Sequence, residues 1–354
     1  MIKKLILLFF SVFLLTTTLF AQEEEQQEKA GSLDIHFNGL GFMDNREYQA
    51  FIDRSRTYSG TRTTLDLGLN LDSLNHFIAG VNGLHEFGAQ PFFVNVAPVF
   101  YYHYQSQKWT FNVGEFPREG LLTQYPRAML NDTLRDYRPN VEGLLTSLHT
   151  KYGYESIWID WVSRQTNTER EEFLFGDLGT YLPNPNGPFF LSHYFYMLHD
   201  AGAAILTPND HIYDNGAAKI WVGVDFSHKT VFDSLKVDAG AMMGLERERG
   251  VDGFATPFGF VTSLFISYHK FAVYDEFYAG QGQFLIYGDA YYQKSMYNRI
   301  DIIYSPFVFK HIKGQFVLSL HQSPGFPSDS QQAFRLTYDL GRKKLVKFKS
   351  DNLY

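Results

Sequence analysis

Residues 65–72 read Leu-Asp-Leu-Gly-Leu-Asn-Leu-Asp, and this segment decides the fold. Every second residue is leucine, and the positions between the leucines are polar or glycine. A β-strand with this period of two presents one apolar face and one polar face. Similar two-faced segments recur, separated by turns, almost to the C-terminus. Behind an export signal, this repetition predicts an all-β protein: a closed antiparallel transmembrane β-barrel with lipid outside and water inside.

The N-terminus carries that export signal. Lys3 and Lys4 supply a positive charge, residues 5–20 are mostly apolar, and Ala21 is a small residue suited to cleavage. A membrane anchor is the alternative, but the apolar stretch is shorter than the roughly 20 residues that span a bilayer. We therefore expect residues 1–21 to be a cleaved signal peptide and the protein to reach the outer membrane of a Gram-negative cell. Residues 22–31 (QEEEQQEKAG) are predicted to form a flexible acidic tail.

Composition excludes several classes of protein. The 354 residues contain no cysteine, which rules out disulfides, thiolate metal sites and lipoprotein acylation. Removing Lys3 and Lys4 with the signal takes the formal charge from −7 to −9, which disfavours nucleic acid as a partner. The 23 Tyr, 34 Phe and 4 Trp fit aromatic girdles at two membrane interfaces, although an aromatic-rich soluble β-sandwich is an alternative.

Alternation predicts about sixteen strands, with fourteen as the alternative. The predicted strands are 32–42, 57–72, 76–87, 92–104, 108–116, 141–150, 154–164, 171–179, 188–198, 216–228, 234–246, 259–269, 271–279, 296–306, 314–322 and 331–340. A lipid-facing Arg or Lys costs roughly 2–4 kcal/mol at the bilayer midplane, so charges within strands should face the lumen. The predicted lumen wall residues are Asp66, Asp160, Arg164, Asp238, Arg299, Asp301, Arg335 and Asp339.

The connections give an independent test, because outer-membrane barrels combine short periplasmic turns with longer outer loops. With a periplasmic N-terminus, the odd-numbered connections should be the outer ones. These are mostly long, and the longest is 117–140. The exceptions are 88–91, a short outer connection, and 180–187, a long inner turn. The pattern favours a barrel over residues 32–341.

In this architecture the chain resembles the bacterial general porins, over essentially all of residues 32–341. Members of that family are sixteen-stranded, and the loop after the fifth strand folds into the lumen and narrows it. The resemblance implies the same for 117–140, where Met129, Leu130 and Leu134 could pack a short amphipathic helix against the wall. The acidic loop motif usual in the family is missing. The implied pore-constriction residues are Arg127, Asp132, Arg135, Asp136 and Arg138.

The C-terminus departs from the porin pattern, which ends the last strand on a terminal aromatic residue. Here the chain continues past Leu340 as GRKKLVKFKSDNLY. We expect residues 342–354 to form a basic periplasmic tail, solvated and disordered. The alternative is that its positive charge meets anionic headgroups or a protein partner.

One region of the sequence is a candidate for catalysis or metal binding. His193, His199, Asp200, Asp210 and His211 fall within 19 residues, and a histidine beside carboxylates could act as a base or bind a metal. However, the chain has no G-x-S-x-G motif, no H-E-x-x-H motif and no cysteine. The sequence therefore favours ordinary polar loop residues, and it predicts no enzymatic activity, no cofactor and no metal site.

These features predict a porin-like outer-membrane channel for passive diffusion of small hydrophilic solutes. The alternative is a non-conducting structural barrel, its bore filled by aromatic side chains and infolded loops, within an outer-membrane assembly. A barrel hydrolase is the least favoured function. The expected partners are outer-membrane lipid and small hydrophilic solutes. A second copy of the chain, or another periplasmic or outer-membrane protein bound through the basic tail, is a further candidate partner.

Overall fold

Sixteen antiparallel strands form the wall of a closed barrel, which confirms the predicted fold. The computed structural model describes residues 30–118, 125–205 and 211–349. The predicted signal peptide and residues 22–29 of the predicted acidic tail lie outside these ranges. Within the described residues, no helix is long and apolar enough to cross a membrane.

The strands follow the predicted alternation closely. They are β1 (Ala30–Glu47), β2 (Arg56–Asn70), β3 (Asn75–Glu86), β4 (Asn95–Gln105), β5 (Trp109–Pro117), β6 (Asn140–Thr150), β7 (Gly153–Ser163), β8 (Glu171–Tyr181), β9 (Phe189–Gly202), β10 (Tyr213–Asp225), β11 (Ser234–Glu248), β12 (Phe258–Tyr268), β13 (Phe271–Gly280), β14 (Met296–Val308), β15 (Ile312–Gln322), β16 (Asp329–Asp339) and the short β17 (Lys343–Lys349). A helix α1 (Thr133–Tyr137) and a 3₁₀ turn (Ala290–Gln293) lie in connections.

The seam of the barrel is closed by two strands that share the edge of β1. Strand β16 pairs with residues 38–47 of β1, and β17 pairs with residues 30–35. The expected solvated tail is therefore a strand over Lys343–Lys349. Without β17, the first part of β1 would present unpaired backbone groups along one edge, which a membrane barrel cannot leave exposed to lipid.

Side chains alternate between the bore and the outer wall as expected from the 65–72 segment. Leu65 and Leu67 are 46% and 45% exposed on the outside of β2, whereas Asp66 between them is 4% exposed and faces the bore. Strand β14 shows the same arrangement, with Arg299 and Asp301 buried inside the barrel and Ile302 exposed outside.

The two ends of the barrel differ in the length of their connections. One end, here called the short-turn end, has turns such as 151–152 and 269–270. The other, the long-loop end, has connections that include 118–139 and 281–295. Outer-membrane barrels keep their longer loops on the outside of the cell. The long-loop end therefore corresponds to the outer leaflet.

Two of the long connections fold inward and build a hydrophobic core inside the bore. Met129 and Leu130 of 118–139 are fully buried, and Tyr291 and Tyr292 of 281–295 are 2% and 1% exposed. They pack in one cluster with inward-facing wall residues, among them Leu145, Trp158, Leu174, Tyr194, Tyr196, Leu198, Ala217, Met242, Val261, Tyr278 and Tyr297. Burying a side chain of this size contributes roughly 1.5–3 kcal/mol. The bore is therefore packed like a protein interior at this level.

Candidate functional site on the outer wall

The residues predicted to form a constriction are tied to the wall by ion pairs. Asp136 of α1 forms a two-pronged pair with Arg335 of β16, at 3.0 Å from Nη1 to Oδ1 and 3.1 Å from Nη2 to Oδ2. The Nε of Arg62, on β2, donates to the Asp136 carbonyl oxygen at 2.9 Å. This end of the connection is thus held against the wall strands on either side of β1.

A second set of pairs holds the middle of the same connection against β14. Arg127 Nη2 lies 2.7 Å from an oxygen of Asp301, and Arg299 Nη2 lies 3.0 Å from an oxygen of Asp132. Arg299 and Asp301 also contact each other at 2.8 Å. The four charges form a closed network in which each has an opposite partner.

The third attachment is on the far side of the bore. Asp160 of β7 is fully buried, and its oxygens lie 2.5 Å from Arg118 Nη2 and 3.5 Å from Arg138 Nη2. In the strand order, β7 is eight strands from β15, so Asp160 faces β14 and β16 across the barrel. The described residues of this connection, 118 and 125–139, therefore contact opposite walls of the bore, and their charges neutralise wall charges.

The remaining predicted wall residues lie apart from these contacts. Asp238 faces the bore and accepts from Ser263 Oγ at 2.7 Å. Asp66 and Asp339 are both paired with His36 near the short-turn end, and the Asp339 side chain is 63% exposed. The placement of Arg164 on the wall is wrong: β7 ends at Ser163, and Arg164 lies exposed in the following loop. The side chain of Arg135 lies outside the described part of the chain.

The short-turn half of the bore retains open space. One cavity of about 740 Å³ is lined by residues that include Arg62, Arg118 and Arg335. A second, of about 610 Å³, is lined by Asp34, His76 and others. These two cavities lie toward the short-turn end, and the hydrophobic core lies at the level of the infolded loops.

The outer wall carries a different group of charged residues at the long-loop end. His199 of β9 stands directly opposite Asp214 of β10, and Asp214 stands directly opposite Arg247 of β11. Their neighbour Leu198 is buried in the core inside the barrel, so His199 points outward. These three residues, here called the outer row, lie side by side on the lipid-facing wall.

Hydrogen bonds fix the geometry of the outer row. His199 Nδ1 lies 3.2 Å from Asp214 Oδ1. Arg249 makes a two-pronged contact with the same carboxylate, at 2.7 Å from each nitrogen, and Arg247 Nε donates to it at 3.1 Å. Only 5% of the Asp214 side chain is exposed, against 19% for His199 and 43% for Arg249. The carboxylate is therefore held beneath two guanidinium groups and a histidine.

Together with Arg249, the outer row has a net positive charge. Neutral His199, the Asp214 carboxylate and two arginines sum to one positive charge at the surface of the barrel. Arg170 and Asp200 form a neighbouring neutral pair at 2.5 Å. A positive patch at this height would attract the anionic headgroup of an outer-leaflet lipid.

Apolar rows lie directly below the outer row, toward the membrane centre. The next row on the outer wall contains Phe175, Met197, Gly216 and Leu245, which are in register with one another. Within the outer row itself, the His199 ring packs against Phe173 with centroids 5.1 Å apart. A lipid with its headgroup on the arginines would therefore lay its acyl chains over apolar side chains.

The arrangement offers one catalytic chemistry. A histidine whose Nδ1–H is held by a carboxylate presents Nε2 as a base, which is how such pairs activate a nucleophile. Water is one nucleophile that this geometry could serve. Sequence reasoning found His199 but not Asp214, because the predicted strands ended at 198 and began at 216. Extending the alternation of β9 by one step would have placed His199 on the outer face.

Comparison with known proteins identifies both a fold and a family. The anion-selective porin from Comamonas acidovorans has a TM-score of 0.55 at 11% identity, with 88% of this chain and 100% of that chain covered. The OmpT loop L8 deletion mutant from Vibrio cholerae has a TM-score of 0.56 at 8% identity, covering 87% of this chain and 99% of that chain. At these identities the likeness shows the fold alone, and it confirms the architectural resemblance to outer-membrane porins.

The family found by sequence differs from the porins found by structure. Residues 25–345 match the family model of the lipid A 3'-O-deacylase type. No curated protein matches the chain by sequence comparison. The matched family is a hydrolase family, so the prediction that the protein is not an enzyme is wrong. A histidine and a carboxylate on neighbouring strands, such as His199 and Asp214, leave no local sequence pattern for a motif to match.

Proposed function

The chain belongs to the lipid A 3'-O-deacylase-type family, and from this premise we propose that it is an outer-membrane hydrolase that removes an ester-linked acyl chain from lipid A. One observation carries the assignment to a site: His199, Asp214 and Arg247 stand in register on the outer wall, at the long-loop end. A substrate that never leaves the bilayer requires a site on the lipid-facing surface. The outer row lies at the height of the outer-leaflet headgroups.

In the proposed reaction, His199 Nε2 removes a proton from water as the water oxygen attacks the ester carbonyl carbon. The ester C–O bond then breaks, the sugar oxygen takes the proton back from His199, and the acyl chain leaves as a fatty acid. Asp214 orients the imidazole and stabilises its charged form. Arg247 and Arg249 hold the Asp214 carboxylate in place, and their surplus positive charge attracts the anionic headgroup.

The test is fatty acid release from vesicles that contain lipid A and the purified protein. General base catalysis contributes about 10²- to 10⁴-fold, so His199→Ala should lower the rate by that order. Asp214→Asn should lower kcat, because it disturbs the orientation of the histidine. The matched control is His85→Ala, an outward histidine of β3 bonded to the Phe92 carbonyl oxygen. Full activity in His199→Ala would reject the site, and no release by the wild type would reject the function.

Passive diffusion through the bore is the second candidate function. The cavity of about 740 Å³ at the short-turn end favours it, because open volume inside the bore could admit small hydrophilic solutes. The described residues 125–139 of the infolded connection, together with Arg118, oppose it, since Arg118 and Asp136 are tied to opposite walls. Stepwise conductance in planar bilayers would support the channel. Insertion without any conductance, by protein that still releases fatty acid, would reject the channel and leave the hydrolase as the supported function.

A further inference from the structure

A second polar cluster lies on the outer wall, near the short-turn end. It consists of Glu155 on β7, Asp177 on β8 and His193 on β9. One ligand atom from each residue lies within 4.8 Å of the other two. His193 Nε2 is 3.1 Å from Glu155 Oε1 and 4.0 Å from Asp177 Oδ2. The cluster is several rows of residues from the outer row and belongs to the opposite leaflet.

A glycine makes this approach possible. In the strand register, Gly179 of β8 stands between Glu155 and His193. A Cβ atom at Gly179 would lie 2.2 Å from Glu155 Oε2 and 2.8 Å from His193 Cε1. Any other residue would push the two side chains apart. Because Gly179 has no side chain, Glu155 of β7 and His193 of β9 can meet over β8, the strand between them.

The cluster carries a net negative charge in apolar surroundings. The outward positions next to it are apolar and include Ile157, Leu191 and Phe195. Two carboxylates with a neutral histidine give a charge of −2 against lipid, and protonating the histidine still leaves −1. Charged groups on the lipid face of a barrel are destabilising to a degree that rises toward the bilayer midplane and is smaller for Asp and Glu than for Arg and Lys. A divalent cation would bring the charge to zero.

The ligand types indicate which cation fits. Calcium and magnesium prefer oxygen ligands, whereas an imidazole nitrogen favours zinc and other transition metals. Zinc binds nitrogen and carboxylate oxygen at about 2.0–2.2 Å, so ligand atoms around it are roughly 3.3–3.5 Å apart. The separations of 3.1 and 4.0 Å bracket that range. We propose that Glu155, Asp177 and His193 form a divalent transition-metal site on the lipid-facing wall, with its remaining coordination position open to water or a lipid phosphate.

Zinc binding by the full-length purified barrel tests the proposal. After chelator treatment, zinc uptake is measured by equilibrium dialysis in detergent at pH 7.5. The wild type should bind one more zinc per chain than His193→Ala. The isosteric Asp177→Asn should weaken that binding by more than about tenfold, because it removes a charged ligand. Uptake should fall between pH 7 and pH 5, since a histidine must be neutral to ligate a metal.

Matched controls separate this site from the other histidines and carboxylates. Asp275→Asn alters another outward-facing aspartate, on β13, and His85→Ala another outward histidine; both should bind zinc like the wild type. Folding of each variant is checked by circular dichroism, and Gly179→Ala provides a second test that leaves all three ligands in place. Equal zinc uptake by wild type and His193→Ala, or by Asp177→Asn and Asp275→Asn, would overturn the proposal. Calcium competing as well as zinc would also overturn it. Fatty acid release plays no part in this readout, so the result is independent of the proposed hydrolase.

Discussion

Replacing Asp160 by asparagine should destabilise the barrel more than any similar change on the bore wall, because Asp160 anchors the infolded connection 118–139. The carboxylate is fully buried and lies 2.5 Å from Arg118 Nη2. Arg118 is itself 3% exposed, and its Nη1 has no hydrogen-bond partner among the described residues. Asparagine keeps the shape and the oxygen that accepts from Glu142 N, at 3.0 Å in the wild type. The change therefore removes the charge, replaces the oxygen that accepts from Arg118 Nη2 by an NH2 donor, and leaves a buried guanidinium uncompensated.

Breaking a buried pair from one side costs roughly 3–5 kcal/mol. The assay is urea unfolding of the protein in lipid vesicles, followed by tryptophan fluorescence. The control is Asp339→Asn, whose side chain is 63% exposed; losing a surface pair of this kind costs about 0–1 kcal/mol. Adding Arg118→Gln to Asp160→Asn should recover part of the loss, because the uncompensated charge is then gone. A free energy of unfolding for Asp160→Asn within about 0.5 kcal/mol of that for Asp339→Asn would refute the buried anchor.

Three further outcomes are expected. Leu130→Ala should cost about 2–5 kcal/mol in the same urea assay, because Leu130 is fully buried in the bore. A loss of unfolding free energy smaller than that caused by replacing an exposed leucine with alanine would contradict the hydrophobic core. Burial raises the pKa of Asp289 to about 6, against the opposing charge of Arg299, so the folded state binds this proton more tightly than the unfolded state does. The free energy of unfolding should therefore fall as the pH rises from about 4 to about 6, and Asp289→Asn should remove that part of the fall; an unchanged profile would contradict it. Deleting residues 341–354 should expose the 30–35 edge of β1, detected as faster proteolysis of the N-terminus, whereas wild-type resistance would argue against the role of β17.

The wall of the barrel could be predicted from sequence because lipid imposes a simple rule on it. Leu65 and Leu67 face hydrocarbon and Asp66 does not, so periodicity alone assigns both the strand and its faces. The infolding of 118–139 followed from resemblance and from apolar residues such as Leu130 in a long loop. The second infolded connection, 281–295, was missed, although its tyrosines had no other place to be buried.

The candidate site could not be predicted, for a physical reason. Periodicity shows which way a side chain points, but not which residue on the next strand lies beside it. His199 and Asp214 are separated by fifteen positions in the chain, and only the register of β9 and β10 brings them together. The rule that charges face the lumen also hid them, because a membrane-active site must break it.

The packed bore has a consequence for the outside of the barrel. Behind the outer row, the inward side chains Leu198, Tyr196 and Ala217 are at most 2% exposed. The wall of a hollow barrel is one strand thick and can flex with the surrounding bilayer. The wall behind the outer row instead packs against the hydrophobic core inside the bore. We therefore expect the spacing between His199 and Asp214 to depend little on membrane thickness and lateral pressure. Loosening the interior, by a cavity far from the outer row, should therefore make the proposed catalysis on the exterior sensitive to the choice of lipid.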